Sequence, residues 1–287
     1  METKIDISVV IPMYNSEKYI ESTISSILSQ EKHGMNYEII IVDDVSTDNS
    51  RAIVKNIKNE RIRLIELKKN KGSANARNTG IKSAKGEWIQ FIDSDDRICN
   101  NLYKKFENSL KPEFNCYLFS LINEYNDFII KQTILDVIDK RAFAYFGGVW
   151  NKFIKKEICI EFEEISRQNE DTCFIYDMMI EKELKILLIE DAYYLYNCRN
   201  EHSKMANFNK EEYLKMFLHI YNQIEKCDDI TKMSICDTFI GILLSKITPF
   251  SIRLQVAIKT FLKLYKYAPN AYRNGFGKHV ITVKIKS

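Results

Sequence analysis

The sequence is poor in residues that break regular structure, with 9 glycines and 4 prolines among 287 residues. Collagen-like and loop-dominated architectures are thereby excluded. No run approaches the ~18 uncharged apolar residues that mark a membrane-crossing helix. The start, Met1-Glu2-Thr3-Lys4-Ile5-Asp6, lacks the basic flank, apolar segment and small-residue cleavage site of a secretory signal, so a cytoplasmic chain is expected. Seven cysteines, at 99, 116, 159, 173, 198, 227 and 236, include no Cys-x-x-Cys pair. They are expected to be reduced thiols, forming neither disulfides nor a zinc site. Acidic residues are missing from 238–287, where nine lysines and arginines fall. The preceding 237 residues hold 33 basic and 39 acidic side chains, a net −6 beneath the overall +3. An acidic body with a basic tail predicts two surfaces with different partners.

What is present is ordinary globular composition, 45% hydrophobic and 28% charged, enough for one large domain or two small ones. Short β-branched runs at 7–11, 38–42, 62–67 and 88–92 predict buried strands. Between them, helical spacing predicts helices over 17–30, with Ser16 as N-cap, from 46–48 to about 58, and over 73–84, closed by Gly86. This alternation predicts a mostly parallel sheet covered on both faces. Beyond residue 100, helices are expected at 101–110, 171–182, 211–225, 232–244 and 251–267, and extended segments at 116–121, 128–133 and 186–196.

In open parallel sheets, ligands bind beyond the carboxyl ends of the strands. Three polar clusters fall at such ends: Tyr14-Asn15, Asp43-Asp44 and Asp93-Ser94-Asp95-Asp96. One such cluster is ordinary loop chemistry; several on one edge of one sheet point to a ligand. Asp-x-Asp on a turn offers hard oxygen donors suited to Mg²⁺ or Mn²⁺, which keep waters and bridge to substrate phosphates. Neither a G-x-x-x-x-G-K-[ST] loop nor a G-x-G-x-x-G after the first strand is present, which argues against P-loop and dinucleotide chemistry.

The stretches Ser8-Val9-Val10-Ile11-Pro12-Met13-Tyr14-Asn15, Ile41-Val42-Asp43-Asp44-Val45-Ser46-Thr47-Asp48, Ala76-Arg77-Asn78-Thr79-Gly80 and Phe91-Ile92-Asp93-Ser94-Asp95-Asp96 resemble, in order and spacing, the nucleotide-binding half of the family 2 glycosyltransferases. Val149-Trp150-Asn151-Lys152, Asn169-Glu170-Asp171 and 194–203 are similar as well, so the resemblance covers about 5–205. It implies an α/β GT-A fold. A nucleotide-sugar-binding half would span 1–98 and an acceptor-binding half 99–205, with a basic helical C-terminal region at 206–287. It implies an inverting transfer of one sugar from a nucleoside diphosphate, UDP by family habit, to a saccharide or lipid-linked saccharide, as in surface polysaccharide synthesis. No nucleic-acid partner is expected.

By the same resemblance, Asp44 accepts from the nucleotide base, Arg77 lies near that base and Asp93 touches the ribose. Pro12, Tyr14, Asn15 and Ser94 complete the donor site, Asp95 ligates the metal, and Asp171 is the catalytic base. The alternative for Asp171, which opens a helix, is a cap or a dipole-favoured carboxylate. His202 is a candidate second metal ligand or an exposed loop histidine; Arg199 pairs with the diphosphate or is surface charge; Trp150 stacks on sugar or fills the core. Val45 stands where the family usually has glycine, so the turn after Asp44 is expected to avoid positive φ, and Lys71 stands at an often small position. The Gln-x-x-Arg-Trp signature of processive synthases is absent. The rival readings are a sugar-phosphate nucleotidylyltransferase, which wants a Gly-rich, Arg-bearing loop after the first strand, and an inactive nucleotide-sugar-binding scaffold.

In the tail, Leu254, Ala257, Ile258, Phe261, Leu262, Leu264 and Tyr265 share one half of a helical circumference, with Arg253, Lys259, Lys263 and Lys266 on or bordering the other. This amphipathic helix either packs on the catalytic domain or meets an anionic membrane, which would make the enzyme peripheral at the inner face of the cell membrane.

Overall fold

A computed structural model describes residues 4–135, 139–144, 146–165, 169–199, 210–244 and 280–286. The first half follows the expected alternation: β1 (Ile7–Met13), α1 (Ile20–Leu28), β2 (Tyr37–Asp43), α2 (Ser50–Asn56), β3 (Ile62–Glu66), α3 (Ser73–Ser83) and β4 (Trp88–Phe91). Next come β5 (Arg97–Ile98), α4 (Leu102–Ser109), β6 (Cys116–Glu124), β7 (Phe128–Ile134), β8 (Lys152–Lys155), α5 (Glu170–Glu181), β9 (Ile186–Asn197), α6 (Lys210–Gln223), α7 (Asp229–Leu244) and β10 (Val280–Lys286).

All ten strands join one sheet, whose main path runs β10-β7-β6-β8-β4-β1-β2-β3. The strands β3, β2, β1 and β4 are mutually parallel because a helix returns the chain between each. Beyond β4 the expectation of a mostly parallel sheet is corrected. β8 runs antiparallel to β4 and to β6, β7 to β6, and β10 to β7, so the sheet is mixed. A three-residue turn between β6 and β7 permits only a hairpin. The C-terminal region is likewise not wholly helical, since β10 adds a strand to the sheet edge. The expected helix at 251–267 lies outside the described residues.

Side chains alternate across β1 into two cores. Ile7, Val9 and Ile11 join Ile20, Ile24 and Ile27 of α1, Val54 of α2 and Phe106 of α4 on one face. Val10 faces Ala76 and Ile81 of α3, Phe174 of α5, Phe217 of α6 and Ile235 of α7 on the other. Burial on both faces explains why the strands read as continuous apolar runs.

Two predicted boundary signals act differently. Ser16 does not cap α1: its carbonyl accepts from Tyr19 and Ile20 N–H in a preceding turn, and its hydroxyl shares a hydrogen bond of 2.6 Å with the Ser94 hydroxyl. Gly86 does not close α3, which ends at Ser83. It lies against β1, where a Cβ would sit 2.5 Å from Ser8 N.

Candidate active site

Register brings the polar clusters to one edge of the sheet. Met13 pairs with Asp43 and Val10 with Phe91, so the segments following β1, β2 and β4 emerge side by side. Asp43, fully buried, accepts the Ser46 N–H at 3.2 Å on both oxygens and lies 3.6 Å from Arg51 Nε. The Asp44 N–H donates to Met13 O at 2.8 Å. With both ends of the turn pinned, Val45 between them adopts φ +67°. This corrects the expected avoidance of positive φ: the hydrogen bonds of Asp43 and Asp44 impose a conformation that a β-branched residue adopts only under strain.

Asp44 is buried, and its carboxylate accepts the backbone N–H groups of Lys71 at 2.9 Å and Gly72 at 2.7 Å. These bonds hold the 70–72 loop against the β2 end while the Lys71 side chain points to solvent. Pro12 is buried within β1. Tyr14 is 51% exposed beside Asp44. Asn15, at φ +50°, accepts the Thr47 N–H at 2.8 Å, so it shapes the same mouth.

The 76–80 segment of α3 works as a unit. Gly80 lies where a Cβ would meet Val10 Cγ1 at 2.2 Å, so only glycine lets α3 lie this close to β1. Asn78 exchanges hydrogen bonds with the Phe162 backbone in both directions. Arg77 is buried and reaches three carboxylates: Nη1 bonds Asp171 Oδ1 at 2.7 Å and Glu170 Oε1 at 3.2 Å, and Nη2 bonds Asp93 Oδ1 at 2.8 Å. Ser73 Oγ also donates to Glu170. Burial opposes the guanidinium charge, but Asp171, Asp93 and Glu170 more than offset this, raising its pKa above the ordinary arginine value. Arg77 thus joins the Asp93 turn to the N-terminus of α5.

The Asp93–Asp96 turn divides its side chains. Asp93 and Asp95 are half-buried at the site, whereas Ser94 and Asp96 turn inward. Ser94 meets Ser16, and its carbonyl accepts Thr23 Oγ1 at 3.1 Å, so it supports the turn from beneath. Asp96 accepts the Tyr194 phenol and the Asn197 N–H, both at 2.7 Å. Burial, then the charges of Asp95 and Asp93, push the Asp96 carboxyl well above its ordinary value. Among the described residues no group of three His, Cys, Asp or Glu side chains converges as a metal cage. The donors still fit Mg²⁺ or Mn²⁺, which need only one or two carboxylates when waters and phosphates supply the rest. Three carboxylates crowd this turn, and a cation here would relieve their repulsion. Asp95 is the residue that would hold it.

The remaining candidates separate. Trp150 is 7% exposed and stacks on Tyr194 at 4.7 Å, so it fills the core. Arg199 is exposed; its Nε donates to Tyr125 O at the β6–β7 turn and its N–H to Asn197 Oδ1 at 3.0 Å. His202 lies outside the described residues. Sequence reasoning missed Tyr194 and Asp96 as a pair, because their contact spans 98 residues and no local spacing announces it. Lys152, within the 149–152 stretch, was given no role by the sequence. It is fully buried and bonds Gly148 O and Asn151 Oδ1, each at 2.6 Å.

Comparison with known proteins bears on family and fold. The sequence profile described as glycosyl transferase family 2 matches residues 8–179. A poly(ribitol-phosphate) beta-glucosyltransferase of Bacillus spizizenii is 30% identical over 235 residues, covering 77% of this chain and 37% of the relative. The poly(ribitol-phosphate) beta-N-acetylglucosaminyltransferase TarP of Staphylococcus aureus is 31% identical over 239 residues, covering 77% of this chain and 72% of the relative. The chain thus spans little more than a third of the Bacillus relative and nearly three quarters of the staphylococcal one. A crystal structure of S. aureus TarS 1-349 in complex with UDP-GlcNAc superposes with a TM-score of 0.72 at 22% identity, covering 92% of this chain and 80% of that one. That likeness is one of fold, and it extends past the profile match into the C-terminal helices. With the profile covering more than half its length, the chain belongs to glycosyl transferase family 2.

Proposed function

We propose that the protein transfers a single sugar, with inversion, from a UDP-sugar to a hydroxyl of a surface polysaccharide or of its lipid-linked precursor, assisted by Mn²⁺ or Mg²⁺. The observation that carries this reading is the Arg77 guanidinium, which bonds both Asp93 on the donor turn and Asp171 at the start of α5. One rigid group thereby sets an acceptor-side carboxylate beside a donor-side one. Acceptors built on phosphate-linked polyols are favoured by the relatives' names, as poly(ribitol-phosphate) glycosyltransferases.

In this mechanism Asp44, Tyr14 and the 70–72 loop bind the nucleoside, and Asp93 orients the ribose and sugar. Asp95 would hold a divalent cation, which would supply positive charge against the departing diphosphate. The acceptor hydroxyl oxygen forms its bond to the anomeric carbon as the bond from that carbon to the diphosphate oxygen breaks. The electron pair leaves with the diphosphate, and Asp171 takes the hydroxyl proton. Arg77 aims Asp171 through a charge-assisted bond of 2.7 Å. No enzyme nucleophile enters. A nucleotidylyltransferase would instead need basic groups directly after β1, where Tyr14-Asn15-Ser16 stands.

Incubating UDP-sugars with polyol-phosphate and saccharide acceptors tests the reading. Asp171→Asn should lower transfer by a factor of about 10²–10⁴, with donor affinity by calorimetry preserved. Donor affinity that collapses with turnover would make Asp171 a donor-binding residue, and pyrophosphate as the product would favour nucleotidyl transfer.

A further inference from the structure

The Asp93–Asp96 turn is attached to the far half of the sheet through one buried oxygen. Tyr194, on β9, is fully buried. Its phenol oxygen accepts the Asp93 N–H at 3.1 Å and donates to Asp96 Oδ2 at 2.7 Å. Three residues along the same strand, the Asn197 N–H donates to the other oxygen of Asp96 at 2.7 Å. The turn also closes on itself, Asp96 N–H to Asp93 O at 3.1 Å. Both ends of the turn are therefore tied to one strand, while Asp93 Oδ1 is held from the opposite side by Arg77.

We propose that Tyr194 and Asp96 are positioning residues: the phenol–carboxylate strap holds the Asp93–Asp96 turn on β9 so that Asp95 is presented to a divalent cation bound with the donor diphosphate. The proposal rests on the donor-and-metal reading given above.

Three features support a positioning role over simple core filling. First, an ionisable carboxyl fully buried beside Asp93 and Asp95 is an unfavourable choice for packing alone. Among the described residues the hydrogen-bond donors that meet it are the Tyr194 phenol and the Asn197 N–H. A side chain with two acceptor oxygens takes both donors at once, which no apolar residue can do. Second, the Tyr194 ring is fixed independently of its oxygen. It stacks on Trp150 with the planes 20° apart and the centroids 4.7 Å apart. The oxygen is thereby delivered by a rigid platform formed by β9 and the segment that leads into β8. Third, Asp95 sits between the two strapped residues, so slack in either bond moves its carboxylate directly. Groups that orient metal ligands from behind affect metal affinity about 10–100-fold when removed.

Tyr194→Phe removes the one oxygen and leaves the ring on Trp150. Calorimetric titration with UDP, with and without Mn²⁺, reads the strap without any transfer assay. In the wild type Mn²⁺ should tighten UDP binding. In Tyr194→Phe that Mn²⁺-dependent gain should fall about tenfold or more, while uridine, which carries no diphosphate for a cation to meet, should lose much less. Asp96→Asn, which keeps the shape and one acceptor, should shift the gain in the same direction and carries the test if the phenylalanine variant does not fold. A Mn²⁺ gain within twofold of wild type in both variants overturns the strap while leaving the donor reading intact. Equal loss of uridine and UDP binding overturns it too, because the effect would then be general unfolding of the site. A wild type in which Mn²⁺ does nothing to UDP binding overturns the metal reading and the strap with it.

Discussion

At the scale of single residues, the site is held by groups made to do two things at once. Asp44 anchors the 70–72 loop through two N–H groups and keeps further lone pairs for the proposed nucleoside. Arg77 neutralises three acids and fixes the distance between two elements. Removing any one acid would leave the other two in contact with the same cation. Val45 carries the clearest local cost. An L residue in the left-handed region gives up about 1–2 kcal/mol, and Val45, at φ +67° and half-buried, has no glycine-like freedom. Glycine there would relieve that strain while adding roughly 0.5–1 kcal/mol of unfolded-state entropy. Val45→Gly should therefore melt at or above the wild-type temperature. The same change at fully buried Val9, in the middle of β1, should lower it by many degrees. A Val45→Gly protein that melts well below wild type would mean that the valine side chain, not the backbone, is what the turn needs.

At the scale of elements, β8 connects the two halves of the sheet, pairing with β4 on one side and β6 on the other. Its first residue, Lys152, is buried with its amine against two oxygen acceptors and 5.4 Å from the Phe143 ring. Burial pushes the amine down from 10.5 to about 7, against the opposing pull of Asp171 and Cys116. Between those two values the unfolded chain holds a proton that the folded chain does not. Stability therefore rises with pH across that window and is lost as pH falls through about 7. Urea unfolding of wild type and Lys152→Met from pH 6.5 to 10 should show the wild type gaining relative to the variant as pH rises; a difference independent of pH would mean the amine keeps its ordinary value. Lys152 also marks the limit of what the sequence disclosed. β1 to β4 and α1 to α3 were legible because each strand is a short β-branched run between helical repeats, and the acids at strand ends stood out by position. β8 and β5 were not, because four and two residues carry too little periodicity to be told from loop. Antiparallel pairing beyond β4 was equally silent, since it depends on which strands meet. Asp171 was singled out only through its Glu-Asp neighbour and family spacing. Its bond to Arg77 spans 94 residues and is a property of the fold.

At the scale of the whole molecule, the C-terminal region divides between structure and surface. The helices α6 and α7 belong to the core beneath the site: Tyr176 of α5 donates to Ser234 O of α7 at 2.9 Å, and Asp177 of α5 receives His219 and Gln223 of α6. Strand β10 closes the sheet edge on β7, with Lys284 set 3.7 Å over the Phe128 ring and Val283 and Ile285 exposed. No helix among the described residues is long and apolar enough to cross a membrane. Charge of one sign is gathered in the tail: nine basic residues and no acid over 238–287, against a net −6 elsewhere. We propose that this tail docks on anionic lipid, where each engaged lysine or arginine contributes about 1 kcal/mol. A lipid-linked acceptor would then be met at the surface that carries it. Deleting 251–287 would also strip β10 from β7, so charge reversal is the cleaner variant. The full chain should co-sediment with phosphatidylglycerol-containing vesicles at low salt and be released as salt rises. The triple variant Lys259→Glu, Lys263→Glu, Lys266→Glu should bind such vesicles at least tenfold more weakly, since removing even two such contacts is worth more than 1.4 kcal/mol. Its circular dichroism should stay unchanged. Equal recovery in the supernatant with anionic and neutral vesicles would reduce the tail to packing and solvated charge, and the acceptor would have to reach the enzyme from solution.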